Sequence, residues 1–187
     1  TMQMIKQCFF LLILGTAALF MPHAKADCTT PDMPKMINVA TISVPTTLAV
    51  GATIPGTEQT VHVAGNCNHP YESGMEIISC YNGSGSEIPG LTGVYDTGVP
   101  GVGIALKNDQ GQRISGGGKV ACDSRSTPIG YVSTDGYQSF DFNVTLELVK
   151  TSDAVQSGTL LQAQTEFGIG VYGNDGIGSP NVISYAG

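Results

Sequence analysis

In residues Ser139–Val149, SFDFNVTLELV, polar and apolar side chains alternate without a break from Ser139 to Leu148. A strand turns successive side chains to opposite faces, so a strict period of two reads as a half-buried strand. Phe140, Phe142, Val144, Leu146 and Leu148 share one face, expected to point inward. Asp141, Asn143, Thr145 and Glu147 share the other, expected to face solvent. Further strands are predicted at Met36–Val44, Gln59–Gly65, Met75–Tyr81, Val102–Lys107, Ile114–Cys122, Gly158–Thr165, Phe167–Tyr172 and Asn181–Tyr185. Turn clusters such as PTT, NGSGSEIPG, NDQGQ, SRSTP, STDG and NDGIGSP separate them. With 25 glycines, no collagen period and no convincing 3.6-residue spacing after the N-terminal segment, the chain reads as an all-β antiparallel sandwich or barrel. In FGIGVYG, Gly168 and Gly170 leave one strand face without side chains, which suggests close backbone approach or a ligand on that face.

The N-terminal segment reads differently. Lys6 precedes a continuous apolar run, Phe9 to Phe20, and Ala24-Lys25-Ala26 fits a small-x-small cleavage site. Residues 1–26 are therefore expected to be a secretory signal peptide, too short for a transmembrane helix. The mature domain is expected at residues 27–187, a single unit without internal repeat or linker. It carries 6 Lys+Arg, once Lys6 and Lys25 are removed, against 15 Asp+Glu, a net charge of −9. That sign opposes binding to nucleic acid, and no basic patch or apolar span suits a membrane.

Cys28, Cys67, Cys80 and Cys122 remain after cleavage. An even count in an exported chain argues for two disulfides, with three connectivities open. No spacing fits a metal site, so no metal or cofactor is expected. Catalysis lacks a poised base: His62 sits in an alternating strand and His69 in a polar loop, with no nucleophile motif beside either. Paired carboxylates would serve glycosidase chemistry, but none sits in an apolar setting that raises its pKa. No catalytic residue is assigned, and the chain reads as a binding protein rather than an enzyme.

Two stretches, VYDTGVPGVGIALKNDQGQ (Val94–Gln112) and FDFNVTLELVKTSDAVQSGTLLQAQ (Phe140–Gln164), resemble subunits of Gram-negative chaperone–usher fimbriae. The matching residues are Gly101, Gly103, Ile104, Leu146, Leu148, Lys150, Thr151, Gly158 and Leu160, in the family's order. The resemblance implies an immunoglobulin-like antiparallel β-sandwich or elongated β-barrel. Pilin subunits of this family carry an alternating donor arm before their first cysteine. Here only Asp27 would precede Cys28, which places the chain with tip adhesins, whose N-terminal domain is a receptor-binding lectin domain. The opening segment ISVPTTLAVGATI resembles type 3 adhesins, and the step of 39 residues from Cys28 to Cys67 resembles the type 1 adhesins.

The resemblance further implies the pairs Cys28–Cys67 and Cys80–Cys122. It implies a pocket at the domain tip built from Asp27, the loop residues Asn68, His69, Tyr71 and Glu72, and Asn174 and Asp175 before the last strand. Amides and carboxylates would meet sugar hydroxyls, and Tyr71 would stack on an apolar sugar face. The implied partners are a host glycan or matrix-protein receptor, a periplasmic chaperone and outer-membrane usher during assembly, and an adjacent pilus subunit. That subunit would be reached through a pilin domain that a full adhesin carries; the sequence to Gly187 is expected to hold the lectin-like domain without it. The implied place is the fimbrial tip, reached through the periplasm. Two other readings stand beside it: a structural pilin assembled by donor-strand exchange, and a secreted β-sandwich glycan-processing enzyme.

Overall fold

The computed structural model describes residues 28–67, 74–115, 127–135, 138–171 and 181–187. Among these residues the strands are β1 (Cys28–Thr29), β2 (Lys35–Asn38), β3 (Gln59–Cys67), β4 (Glu76–Tyr81), β5 (Tyr95–Asp96), β6 (Val102–Lys107), β7 (Gly130–Tyr131), β8 (Ser139–Lys150), β9 (Glu166–Val171) and β10 (Val182–Ala186). They form two sheets, ordered β1-β3-β8-β6-β5 and β2-β10-β9-β4-β7. The chain is an all-β sandwich. Every strand pair is antiparallel except β2–β10, which is parallel, so the second sheet is mixed.

β8 is the spine of the first sheet, with β3 along one edge and β6 along the other. Its residues Phe140, Phe142, Val144, Leu146 and Leu148 are buried, together with Val61 and Val63 of β3 and Ile104 and Leu106 of β6. They pack against Ile77, Tyr81, Phe167, Ile169, Val171, Ile183 and Tyr185 of the second sheet. Each such side chain contributes about 1.5–3 kcal/mol on burial. A one-residue slip of β8 would expose the whole set, so the alternation sets the register. Gly65, on the inward face of β3, marks a close approach: a Cβ there would lie 2.1 Å from the Thr29 carbonyl and 2.5 Å from Phe140 Cζ.

The outward face of β8 departs from its predicted pattern. Asp141 and Asn143 are exposed, but Glu147 is buried at 1 % exposure. The reason is a second layer on this face. Ile88 and Leu91, from a segment that reads as a turn, pack on Val94, Ala105 and Val149. Arg113 and Lys107 close over Glu147 itself. At the end of β8, Lys150 is likewise buried, and its ammonium donates to the carbonyls of Leu48 (2.8 Å) and Thr46 (3.3 Å).

Other predicted strands are shorter or lost. β2 runs over Lys35–Asn38 and so takes in only Met36–Asn38 of the predicted Met36–Val44, because β10 offers no partner beyond Ala186. Gly158–Thr165 is not a strand. Leu160 and Gly187 exchange two backbone hydrogen bonds (2.8 and 3.2 Å), after which the chain turns through a 3-10 segment, Gln162–Gln164. There the Thr165 hydroxyl bonds the carbonyls of Leu161 and Tyr185, a local side-chain bond that competes with ladder formation. Ile114 is buried and donates to Leu106, but Ile114 and Ser115 lie outside any strand; Cys122 lies outside the described residues.

Candidate functional site

All of the residues expected to contact a ligand, namely Asp27, Asn68, His69, Tyr71, Glu72, Asn174 and Asp175, lie outside the described residues. The described residues that flank them carry the geometry. Cys28 follows Asp27, Cys67 precedes Asn68, and Gly74 ends that segment. Val171 and Asn181 flank the segment that holds Asn174 and Asp175.

These flanks come together at one end of the sandwich. Cys28 and Cys67 are cross-strand partners in β1 and β3 and form a disulfide, with their Cα atoms 3.9 Å apart. The pairing implied by the resemblance is thus present. Thr30, just beyond β1, donates from its hydroxyl to Asn181 Oδ1 at 2.5 Å, joining the first sheet to the second. Val171 pairs with Ile77 at the start of β4, and the Gly74 amide donates to the Val132 carbonyl at 2.9 Å. The β7–β8 connection reaches the same end, where the Cys67 amide donates to the Gln138 carbonyl at 2.7 Å. Gln138 has a φ of 53°, the one positive value at a non-glycine residue among those described. Neither Thr30 nor Gln138 was marked by any sequence motif.

Gly168 and Gly170 sit on the face of β9 turned away from the core, opposite Cys80 and Ile78 of β4. Cys80 is 1 % and Ile78 2 % exposed, so this face is not open there, which favours close approach over a bare ligand platform. Cys80 is disulfide-bonded, and its expected partner Cys122 lies outside the described residues.

The ionisable groups with displaced titration lie elsewhere. Burial works to raise the Glu147 pKa. Hydrogen bonds from the Thr53 hydroxyl (2.6 Å) and Arg113 (2.7 Å), with the charges of Arg113 and Lys107, outweigh it and hold the carboxyl below its usual value. Lys107 is raised, first by its hydrogen bond to Glu58. Tyr81 is raised well above the ordinary phenol range, chiefly by burial, and its hydroxyl donates to the carbonyls of Gln164 and Asp96. These are framework contacts. His62 Nε2 and Asp141 Oδ1 are 2.6 Å apart on the exposed face of the first sheet. No group of three His, Cys, Asp or Glu residues suited to a metal occurs among the described residues. An open depression of about 370 Å³ lined by Thr53, Ile54, Pro55, Gly56 and Glu58 lies at the start of β3, the end of that strand away from Cys67. No helix among the described residues is long and apolar enough to cross a membrane.

No family model and no curated protein sequence matches this chain. Solved structures do resemble it. The receptor-binding domain of the plasmid-born adhesin MrkD1P of Klebsiella pneumoniae aligns at 20 % identity over 86 % of this chain and 96 % of that domain, with a TM-score of 0.45. The CupB6 tip adhesin from Pseudomonas aeruginosa aligns at 16 % identity over 82 % of this chain, with a TM-score of 0.50. This chain spans 45 % of the CupB6 structure, and at that identity the likeness is one of fold.

Proposed function

We propose that residues 27–187 form the receptor-binding domain of a bacterial fimbrial tip adhesin, which attaches non-covalently to a host or surface glycan. The observation that carries this reading is the convergence at one end of the sandwich. The Cys28–Cys67 disulfide and the Thr30–Asn181 hydrogen bond bring together the flanks of every segment that holds a candidate ligand residue. Binding sites on β-sandwiches are characteristically built from loops clustered at one end of a rigid scaffold. The fold shared with the CupB6 tip adhesin supports the same reading.

In this reading residues 1–26 are removed on export. A periplasmic chaperone and an outer-membrane usher deliver the subunit to the fimbrial tip. Asn68, Asn174, Glu72, Asp175, His69 and the Asp27 terminus meet sugar hydroxyls, while Tyr71 supplies a stacking face. A single sugar binds weakly, and many fimbriae per cell raise the avidity. A printed array of glycans and matrix proteins, probed with the exported chain, tests the proposal. Selective binding to a subset, reduced by Glu72→Ala and by Asp175→Ala, is expected. A blank array with correctly folded protein would sink it.

A further inference from the structure

The end of the sandwich that carries Cys28, Cys67 and Asn181 is held by a closed circuit of contacts. On the first sheet, Cys28 is bonded to Cys67, whose amide reaches the Gln138 carbonyl. The chain from Gln138 through Ser139, whose carbonyl accepts from the Ser133 amide at 2.6 Å, leads to Val132 and thence to Gly74, just before β4 of the second sheet. There the path runs through the Ile77–Val171 pair to Ile169, whose amide donates to the Asn181 carbonyl at 2.9 Å. Asn181 returns to the first sheet through Thr30. The circuit therefore crosses between sheets twice, once through the Ser133–Ser139 backbone hydrogen bond and once through the Thr30–Asn181 hydrogen bond. Thr30 is 9 % exposed and Asn181 is half-buried, so that bond is partly shielded from competing water. The left-handed Gln138 lies in the same circuit, and such a conformation persists only where its surroundings hold it.

We propose that the Thr30–Asn181 hydrogen bond is a lock between the two sheets that fixes the spacing of the loop-bearing end, and through it a positioning contact for receptor recognition. The second part rests on the adhesin reading. Thr30 and Asn181 are positioning residues: they set where the loops leave the sheets, and neither needs to touch the receptor. A fixed frame lowers the ordering cost of binding, which is where preorganisation acts.

Thr30→Val keeps the side-chain shape and removes the donor, and Thr30→Ser restores a donor. Amide hydrogen exchange on the full chain reads the lock directly. In T30V, exchange at the Ile169 and Cys67 amides is expected to quicken about five- to tenfold, the scale of one lost hydrogen bond. The amides of Asn82 and Leu160, at the far end, should be unchanged, and T30S should return the wild-type pattern. Unchanged exchange at Ile169 and Cys67, or equal acceleration at all four amides, overturns the lock. On the printed glycan and matrix-protein array, T30V should lose at least about fivefold in signal with its thermal midpoint little changed. Full array binding by T30V overturns the positioning role. A blank array for the wild type removes the adhesin reading and the positioning role with it, while the exchange pattern still decides the lock.

Discussion

Arg113 donates from Nε to Glu147 Oε1 at 2.7 Å, and that carboxylate is buried although it stands on the outward face of β8. The second oxygen accepts from Thr53 at 2.6 Å and lies 3.2 Å from the Lys107 ammonium. One acidic side chain therefore ties β8 to Thr53, just before β3, to β6 and to the chain beyond it.

The Glu147 pKa is lowered on folding, so its contribution is present above the unfolded value and is lost as pH falls through the folded one. Stability should hold steady near neutral pH and decline below about pH 4.3. Glu147→Gln should cost about 2–3 kcal/mol at pH 7, less than the usual cost of a broken buried pair because both cations keep some solvent. It should also flatten the acid limb. Urea midpoints between pH 7 and 3 measure both, and an E147Q acid limb as steep as wild type contradicts the assignment.

Removing the Cys28–Cys67 disulfide frees a loop with a sequence separation of 39. Cys28→Ser should cost roughly 3–4 kcal/mol by the unfolded-state entropy estimate. Thermal denaturation of C28S beside wild type checks this, and coincident curves would mean that the bond does not constrain the unfolded chain.

Gly65→Ala forces a methyl group against the Thr29 carbonyl and the Phe140 ring. The expected cost is about 1–3 kcal/mol, with β1 displaced from β3. Loss of protection at the β1 amides, measured by hydrogen exchange, reports the displacement; an unaltered β1 would show that the ring and strand yield without cost.

Tyr185 is pushed up to about 12 by burial, and its hydroxyl donates to the Thr57 carbonyl at 2.7 Å. A raised phenol pKa means stability is complete below the unfolded value near 10 and is lost as pH rises toward the folded one. Tyr185→Phe should cost about 1 kcal/mol at pH 7 and lessen the alkaline loss. Phenolate absorbance followed beside far-ultraviolet dichroism from pH 8 to 12 tests it: ionisation of this tyrosine should coincide with unfolding.

The architecture was legible where a pattern is local. The alternation of Phe140 to Leu148 specifies a strand, its inward face and its place in the core, because one strand's burial is written in its own residues. Glu147 was misread because what covers it arrives from Ile88, Leu91 and Arg113, and nothing within β8 announces a second layer. The parallel β2–β10 pair was invisible for the same reason: its partners are about 150 positions apart, and pairing direction leaves no mark on either strand. Thr30 and Asn181, separated by 151 positions, meet only because two sheets close on each other. The Cys28–Cys67 pair was legible through resemblance, since the cysteine count alone leaves three connectivities.

β10 lies between β2 and β9 and is hydrogen-bonded along both edges, running from Val182, next to the Thr30–Asn181 contact, to Ala186 at the opposite end. Tension applied along this strand is therefore met in shear, with the bonds of two ladders loaded side by side rather than opened one after another. A load entering beside Asn181 and leaving past Ala186 would therefore be shared by both ladders at once.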